Sequence, residues 1–148
     1  MVDGPVSPAA NETATAFAGD TLRDALDLLS HKIDAGNFER MRWARDEAPK
    51  LARLVELVKG AVADRDDVEI NEEGGEGNTK RFVIKVHGQR IAQLAVALDK
   101  GRAIAAIGPV ERSAYSVAQG QPIHAMFEEV DDVWMARTIA KLSERIGG

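Results

Sequence analysis

The stretch RFVIKVHGQRIAQLAVALDKGRAIAAIG, residues 81–108, decides the fold. Phe82, Ile84 and Val86 alternate with Arg81, Val83, Lys85 and His87, the period of two that a β-strand imposes on its side chains. Gly88-Gln89 then suits a two-residue hairpin loop with glycine first, and Asp99-Lys100-Gly101 a three-residue loop with glycine in the left-handed position. Residues 81–87, 90–98 and 102–107 are therefore expected to form three antiparallel strands. Val68 and Ile70 start a strand before them, and Ser113 to Ala118 supplies a further edge strand.

The loops fix which side chains share a face. With His87 opposite Arg90 and Leu98 opposite Arg102, one face carries Phe82, Ile84, Val86, Ile91, Ala95, Ala97, Ala103, Ala105 and Ile107. That face is assigned to the core. The other carries Val83, Leu94, Val96, Leu98, Ile104 and Ala106 among Arg81, Lys85, His87, Arg90 and Arg102. Residues 80–102 hold six Lys or Arg and one acid, a local +5 in a chain of net charge −5. Arg81, Lys85, His87, Arg90 and Arg102 are accordingly the candidate ligand- or partner-binding residues, an apolar centre with a cationic rim. Two structural accounts stand beside this one. Basic residues guard strands against edge pairing, and their stems cover apolar surface while their heads stay wet.

Upstream, the period lengthens to that of a helix. Thr21-Leu22-Arg23-Asp24 has the form of a capping box, and Leu22, Ala25, Leu26, Leu29 and Ile33 follow at helical spacing. Gly36 and Asn37 suit the end of that helix and the cap of the next. From there Met41, Ala44, Ala48, Leu51, Val55, Val58 and Val62 form a heptad-like seam, with Leu54, Leu57 and Ala61 beside it. Pro49 predicts a kink or break near residues 45–49. At the other end, Glu128 to Asp132 opens a last helix on four acids. Its stripes are Val130, Val133 and Trp134, and Met135, Ile139, Leu142 and Ile146. The fold class is α+β: two N-terminal helices, a four- or five-stranded antiparallel meander sheet and a C-terminal helix. Residues 1–19 are expected as a disordered lead-in and residues 20–148 as a single domain.

Composition narrows the function more than it identifies it. At 148 residues, 45% hydrophobic and 29% charged, the chain has the make-up of a globular domain. It has no cysteine, which excludes disulfides, thiol nucleophiles, thiolate zinc sites and iron–sulfur clusters, and fits a cytoplasmic setting. No apolar run approaches the ~18 residues of a membrane span, and no signal peptide is recognisable. Asn11-Glu12-Thr13 is treated as a chance match to a glycosylation sequon.

Gly74-Gly75-Glu76-Gly77-Asn78-Thr79-Lys80 resembles a phosphate loop in composition only and is expected as a long hairpin connection. Its order is wrong, it leads into a strand, and Glu72, Glu73 and Glu76 repel phosphate. EF-hand spacing is absent. His124 and Glu128, four apart, lack a third ligand, so no metal site and no cofactor are assigned. His31 suits a helix C-terminus. Ser30, Ser113 and Tyr115 offer hydroxyls without a nucleophile elbow, and no catalytic residue is named. Arg40, Arg42, Trp43 and Arg45 form a cation–aromatic cluster diluted by Glu39, Asp46 and Glu47, best read as a solvated helix face. Gly147-Gly148 is a frayed end.

The sequence thus leans away from an enzyme. It points to a small protein–protein interaction or adaptor domain, homodimeric through surplus apolar surface on segment 37–62 and the last helix. The alternatives are a binding protein or small enzyme with an anionic ligand between sheet and helices, and nucleic-acid binding through the basic sheet face.

Overall fold

The computed structural model describes residues 8–147, with side chains from residue 19 onward. The chain groups into two compact units, Met1–Arg45 and Asp46–Gly148.

The first unit is helical. Helix α1 runs Pro8–Ile33 and α2 Ala35–Arg42. Helix α1 thus begins well before the expected capping box at Thr21. Residues 8–19, expected as lead-in, lie in it, and residues 1–7 lie outside the described residues. The cap of α2 is Asp34, not Asn37: its carboxylate accepts from the Asn37 backbone N–H at 3.0 Å. Gly36 lies inside α2. The expected break near residues 45–49 takes the form of a π-helical turn, Trp43–Glu47. Proline has no N–H to give and its ring crowds the preceding turn, so the ladder widens before helix α3, Ala48–Ala61, starts with Pro49 in its first turn.

The second unit is α+β. Strands β1 Val68–Glu76, β2 Thr79–Val86, β3 Gln89–Asp99, β4 Arg102–Gly108 and β6 Ile123–Met126 form one antiparallel sheet in the order β1-β2-β3-β4-β6. Strand β5, Ser116–Val117, pairs with β7, Ile146–Gly147, in a separate two-stranded sheet. The fifth strand of the main sheet is therefore Ile123–Met126, not the expected segment after Ser113. A 3-10 turn, Phe127–Glu129, precedes helix α4, Asp132–Ser143. Asp131 caps that helix, accepting from the Trp134 N–H at 2.8 Å. The stretch 74–80, expected as a long hairpin connection, is mostly strand, with only Gly77 and Asn78 between β1 and β2. Its glycines make a bulge at Gly74-Gly75, both at positive φ, and the first corner of a two-residue turn, Gly77-Asn78.

Two local details revise the expected faces. Both hairpin loops have two residues, His87-Gly88 and Lys100-Gly101, each pair at φ of 49° and 77°. Positive φ at both central positions is the type I′ turn that matches strand twist. His and Lys give little warning of it. A bulge then places Ile91 and Ala92 together opposite Ile84, and both are buried. The bulge and the shorter second loop each invert the alternation, so the slips cancel at β4 and only β3 is turned over. Leu94, Val96 and Leu98 belong to the core, at 1%, 1% and 2% exposure, and Ala95 and Ala97 to the other face.

Helices α3 and α4 pack on the core face, against β3 and β4 respectively and against each other. Leu51, Leu54 and Val58 of α3 and Met135, Ile139 and Leu142 of α4 are buried, as are Phe82, Ala103 and Ala105 from the sheet. Alanines in β4 give α4 room to approach. Among the described residues no buried side-chain polar atom lacks a hydrogen-bond partner, and no helix is long and apolar enough to cross a membrane.

Candidate interaction site

The five cationic candidates fall on the second sheet face or at its end, but they do not form one site. Lys85 and Arg90 stand directly opposite each other on β2 and β3, with His87 in the adjoining turn. Arg81 lies further along β2, opposite Ala95. Arg102 is at the other end of the sheet, opposite Asp99 and Met126. Acids answer these cations in space. Glu69 stands opposite Lys85 across β1 and β2. Glu73 reaches over β2 to hold Arg90, with Nη1 donating to its two oxygens at 3.1 and 2.9 Å. Lys80 pairs with Glu72 at 3.3 Å. The +5 counted along residues 80–102 is therefore diluted by carboxylates from β1, which the chain brings alongside from outside that window.

The apolar centre of this face also shrinks. With Leu94, Val96 and Leu98 turned into the core, a buried Val83 and half-buried Ala95, Ala97, Ile104 and Ala106 remain. Over Val83 lies an open cleft of about 440 Å³, walled by Glu73, Arg90, Gln93, Val110 and Arg112. It pairs two guanidinium groups with acidic neighbours and offers no nucleophile beside a base. The Ser113 hydroxyl, close by, donates to the Arg90 carbonyl at 2.9 Å and accepts from the Tyr115 N–H at 3.1 Å, so it pins the loop after β4. His124 sits in β6 and Glu128 in the 3-10 turn, so their spacing is not a helical pair. Among the described residues no group of three or more His, Asp or Glu is placed to hold a metal.

The surface that sequence reasoning misplaced is on α1. The apolar surplus was expected on segment 37–62 and the last helix, yet α3 sinks Leu51, Leu54, Val55, Leu57 and Val58 into the core of its own unit. On the last helix only Val133 remains a large exposed hydrophobic. On α1, Leu22, Leu26, Leu29 and Ile33 recur at steps of four, three and four, so they form one stripe. Their exposures are 59%, 52%, 53% and 79%.

The contacts within the unit explain why. Arg45 holds Asp27 through two parallel hydrogen bonds of 3.0 Å, and the His31 ring meets the Phe38 ring edge-on at 5.5 Å. At 100° per residue, Asp27 and His31 lie roughly opposite the leucines. Helix α2 and the turn after it thus close on the polar side of α1, and the leucines face away. The signal was in the sequence as a clean helical period. What it could not say was which side of the helix its neighbour would take.

The cation–aromatic cluster of this unit is largely spoken for. Arg45 is on Asp27, Arg42 bonds Glu39 at 3.0 Å and Arg40 bonds Asn37. Comparisons with protein-family models, curated proteins and solved structures give no match.

Proposed function

We propose that this chain is a non-enzymatic protein–protein interaction module that works as a homodimer, with α1 as its dimerisation helix. One observation carries this: α1 presents four large apolar side chains outward in one stripe, with Leu28 exposed away from it, because its own neighbour packs on the side of Asp27 and His31. A second copy suits the stripe. Its 4-3-4 spacing is self-complementary, as in a short coiled-coil seam. It carries no charge, and Asp20, Asp24 and Asp27 project from the far side, so two copies meet without apposed like charges.

The magnitudes point to a reversible dimer. Fully burying a leucine or isoleucine is worth about 1.5–3 kcal/mol. Covering four half-exposed ones on each copy gives roughly 10 kcal/mol, the same size as the cost of association at about 4–15 kcal/mol. Acids beside Lys85, Arg90 and Arg102 argue against reading the sheet face as a nucleic-acid or phosphate site. The absence of cysteine supports a cytoplasmic setting.

Sedimentation velocity from low to high micromolar concentration tests the reading. The expected result is a monomer–dimer equilibrium that Leu26→Glu with Ile33→Glu abolishes. A wild-type chain that stays monomeric throughout overturns it.

A further inference from the structure

A five-stranded open sheet has two edges, and here they differ in kind. Strand β1 is guarded. Seven acids and one arginine occupy residues 64–76, and the strand is bent by its glycine bulge. Both devices discourage another strand from pairing. Strand β6 has no bulge and no acid within its four residues, although Pro122 precedes it and Glu128 and Glu129 follow. Ile123, His124, Ala125 and Met126 pair inward with β4, and among the described residues no backbone hydrogen bond joins their outer side to anything.

Beside this edge lies a cleft of about 620 Å³, formed by Gln121, Pro122 and Ile123 on the strand side and by Lys141, Glu144 and Arg145 at the end of α4. Arg137, Lys141 and Arg145 follow at intervals of four, and among the described residues no acid pairs with them. Arg145 is fixed in place. Its Nη2 donates to the Gln121 carbonyl at 2.9 Å, and its guanidinium packs so close over Gly120 that a Cβ there would lie 2.7 Å from Cζ. Among the described residues no further acceptor holds its other N–H groups. Glu144 is the one acid on the wall.

We propose that the outer edge of β6 and this basic flank accept an extended acidic segment of another protein. The segment adds as a sixth strand, its backbone pairing with Ile123–Met126 while alternate carboxylates reach Lys141 and Arg145. A second copy of this chain is a poor occupant, because edge-to-edge pairing would bring two rows of Arg137, Lys141 and Arg145 together. The residues of this site all belong to Asp46–Gly148, and the apolar stripe of α1 to Met1–Arg45.

The test uses the full chain and a fluorescein-labelled peptide of alternating glutamate and valine, followed by anisotropy at low salt. The acidic peptide is expected to bind. The same peptide N-methylated on alternate residues keeps its charge but cannot pair as a strand, and is expected not to bind. An alternating lysine–valine peptide is likewise expected not to bind. Lys141→Glu, a change at an exposed side chain, is expected to weaken binding severalfold, and adding Arg145→Glu to weaken it about tenfold in all. Failure of the acidic peptide to bind overturns the proposal. So does equal binding of the N-methylated or lysine peptide, or an affinity that Lys141→Glu leaves unchanged.

Discussion

Leu54 of α3 and Leu26 of α1 are both leucines on the apolar side of an amphipathic helix, yet the first is fully buried and the second is 52% exposed. The difference lies in the neighbour. In Asp46–Gly148, α3 meets a sheet whose core face is lined by Phe82, Leu94, Val96 and Leu98, and the two apolar surfaces close on each other. In Met1–Arg45, α1 meets α2 through an edge-on ring contact and Arg45 of the turn after it through an ion pair, and its stripe of leucines is left over. Helical periodicity states that a face should be covered. It does not state by what, and a face left uncovered within its own unit is where a partner is to be sought.

If the second unit owes its stability to that packing, truncating its centre carries the largest cost. Phe82→Ala, at a side chain with 0% exposure, is expected to destabilise by about 3–5 kcal/mol in urea unfolding. Leu26→Ala in α1 is expected to shift monomer stability by about 0.5 kcal/mol or less while weakening the proposed dimer. A comparable loss at Leu26 in the monomer would break the contrast. Next comes Gly75, whose φ of +135° and whose Cβ position 2.5 Å from the Thr79 carbonyl oxygen admit no side chain. Gly75→Ala is expected to cost roughly 1–3 kcal/mol and to loosen the β1–β2 hairpin, seen as faster amide exchange in β1. Asp131→Ala, which removes the cap of α4, is expected to cost about 1 kcal/mol.

The same contrast shows what a single sequence could disclose. The α+β class, the order of helices, sheet and helix, and the break before Pro49 follow from periodicity and one proline. Strand β2 and the core face of β4 were legible as well, although β4 came out right because two errors cancelled. The orientation of β3 was not legible, since it hangs on a bulge at Ile91-Ala92 and on left-handed His87 and Lys100, residue types that seldom announce such a conformation. Strand β6 was hidden by its length and by Pro122 at its start. The cationic set Arg81, Lys85, His87, Arg90 and Arg102 was visible as a charge run. Its dilution by Glu69 and Glu73 was not, because pairing with β1 is a fact of tertiary structure. The basic spacing Arg137, Lys141, Arg145 was present in the sequence, and only the open strand edge beside it gives it meaning.

The smallest expected effect concerns acid, and it reaches both units by the same physics. In the connection between α3 and β1, Arg65 grips Asp67 with two hydrogen bonds of 2.8 and 2.7 Å. These bonds, aided by the charge of the guanidinium and opposed by partial desolvation, hold the Asp67 carboxyl down to about 2 from an ordinary 3.8. In the first unit Asp34 is also held below its ordinary value, chiefly by the Asn37 backbone N–H that it caps. A carboxylate whose folded pKa is depressed binds its proton more readily when unfolded. Its contribution is therefore complete above pH 3.8 and is lost as the pH falls through about 2. Asp67→Asn removes that contribution, so the urea midpoint of the variant should fall less steeply than wild type between those two values. Asp67 is partly exposed, and its partner Arg65 more so, which keeps the difference small. An unchanged slope in Asp67→Asn, with a flattened one in Asp34→Asn, would move the acid-sensitive step from the sheet unit to the helical one.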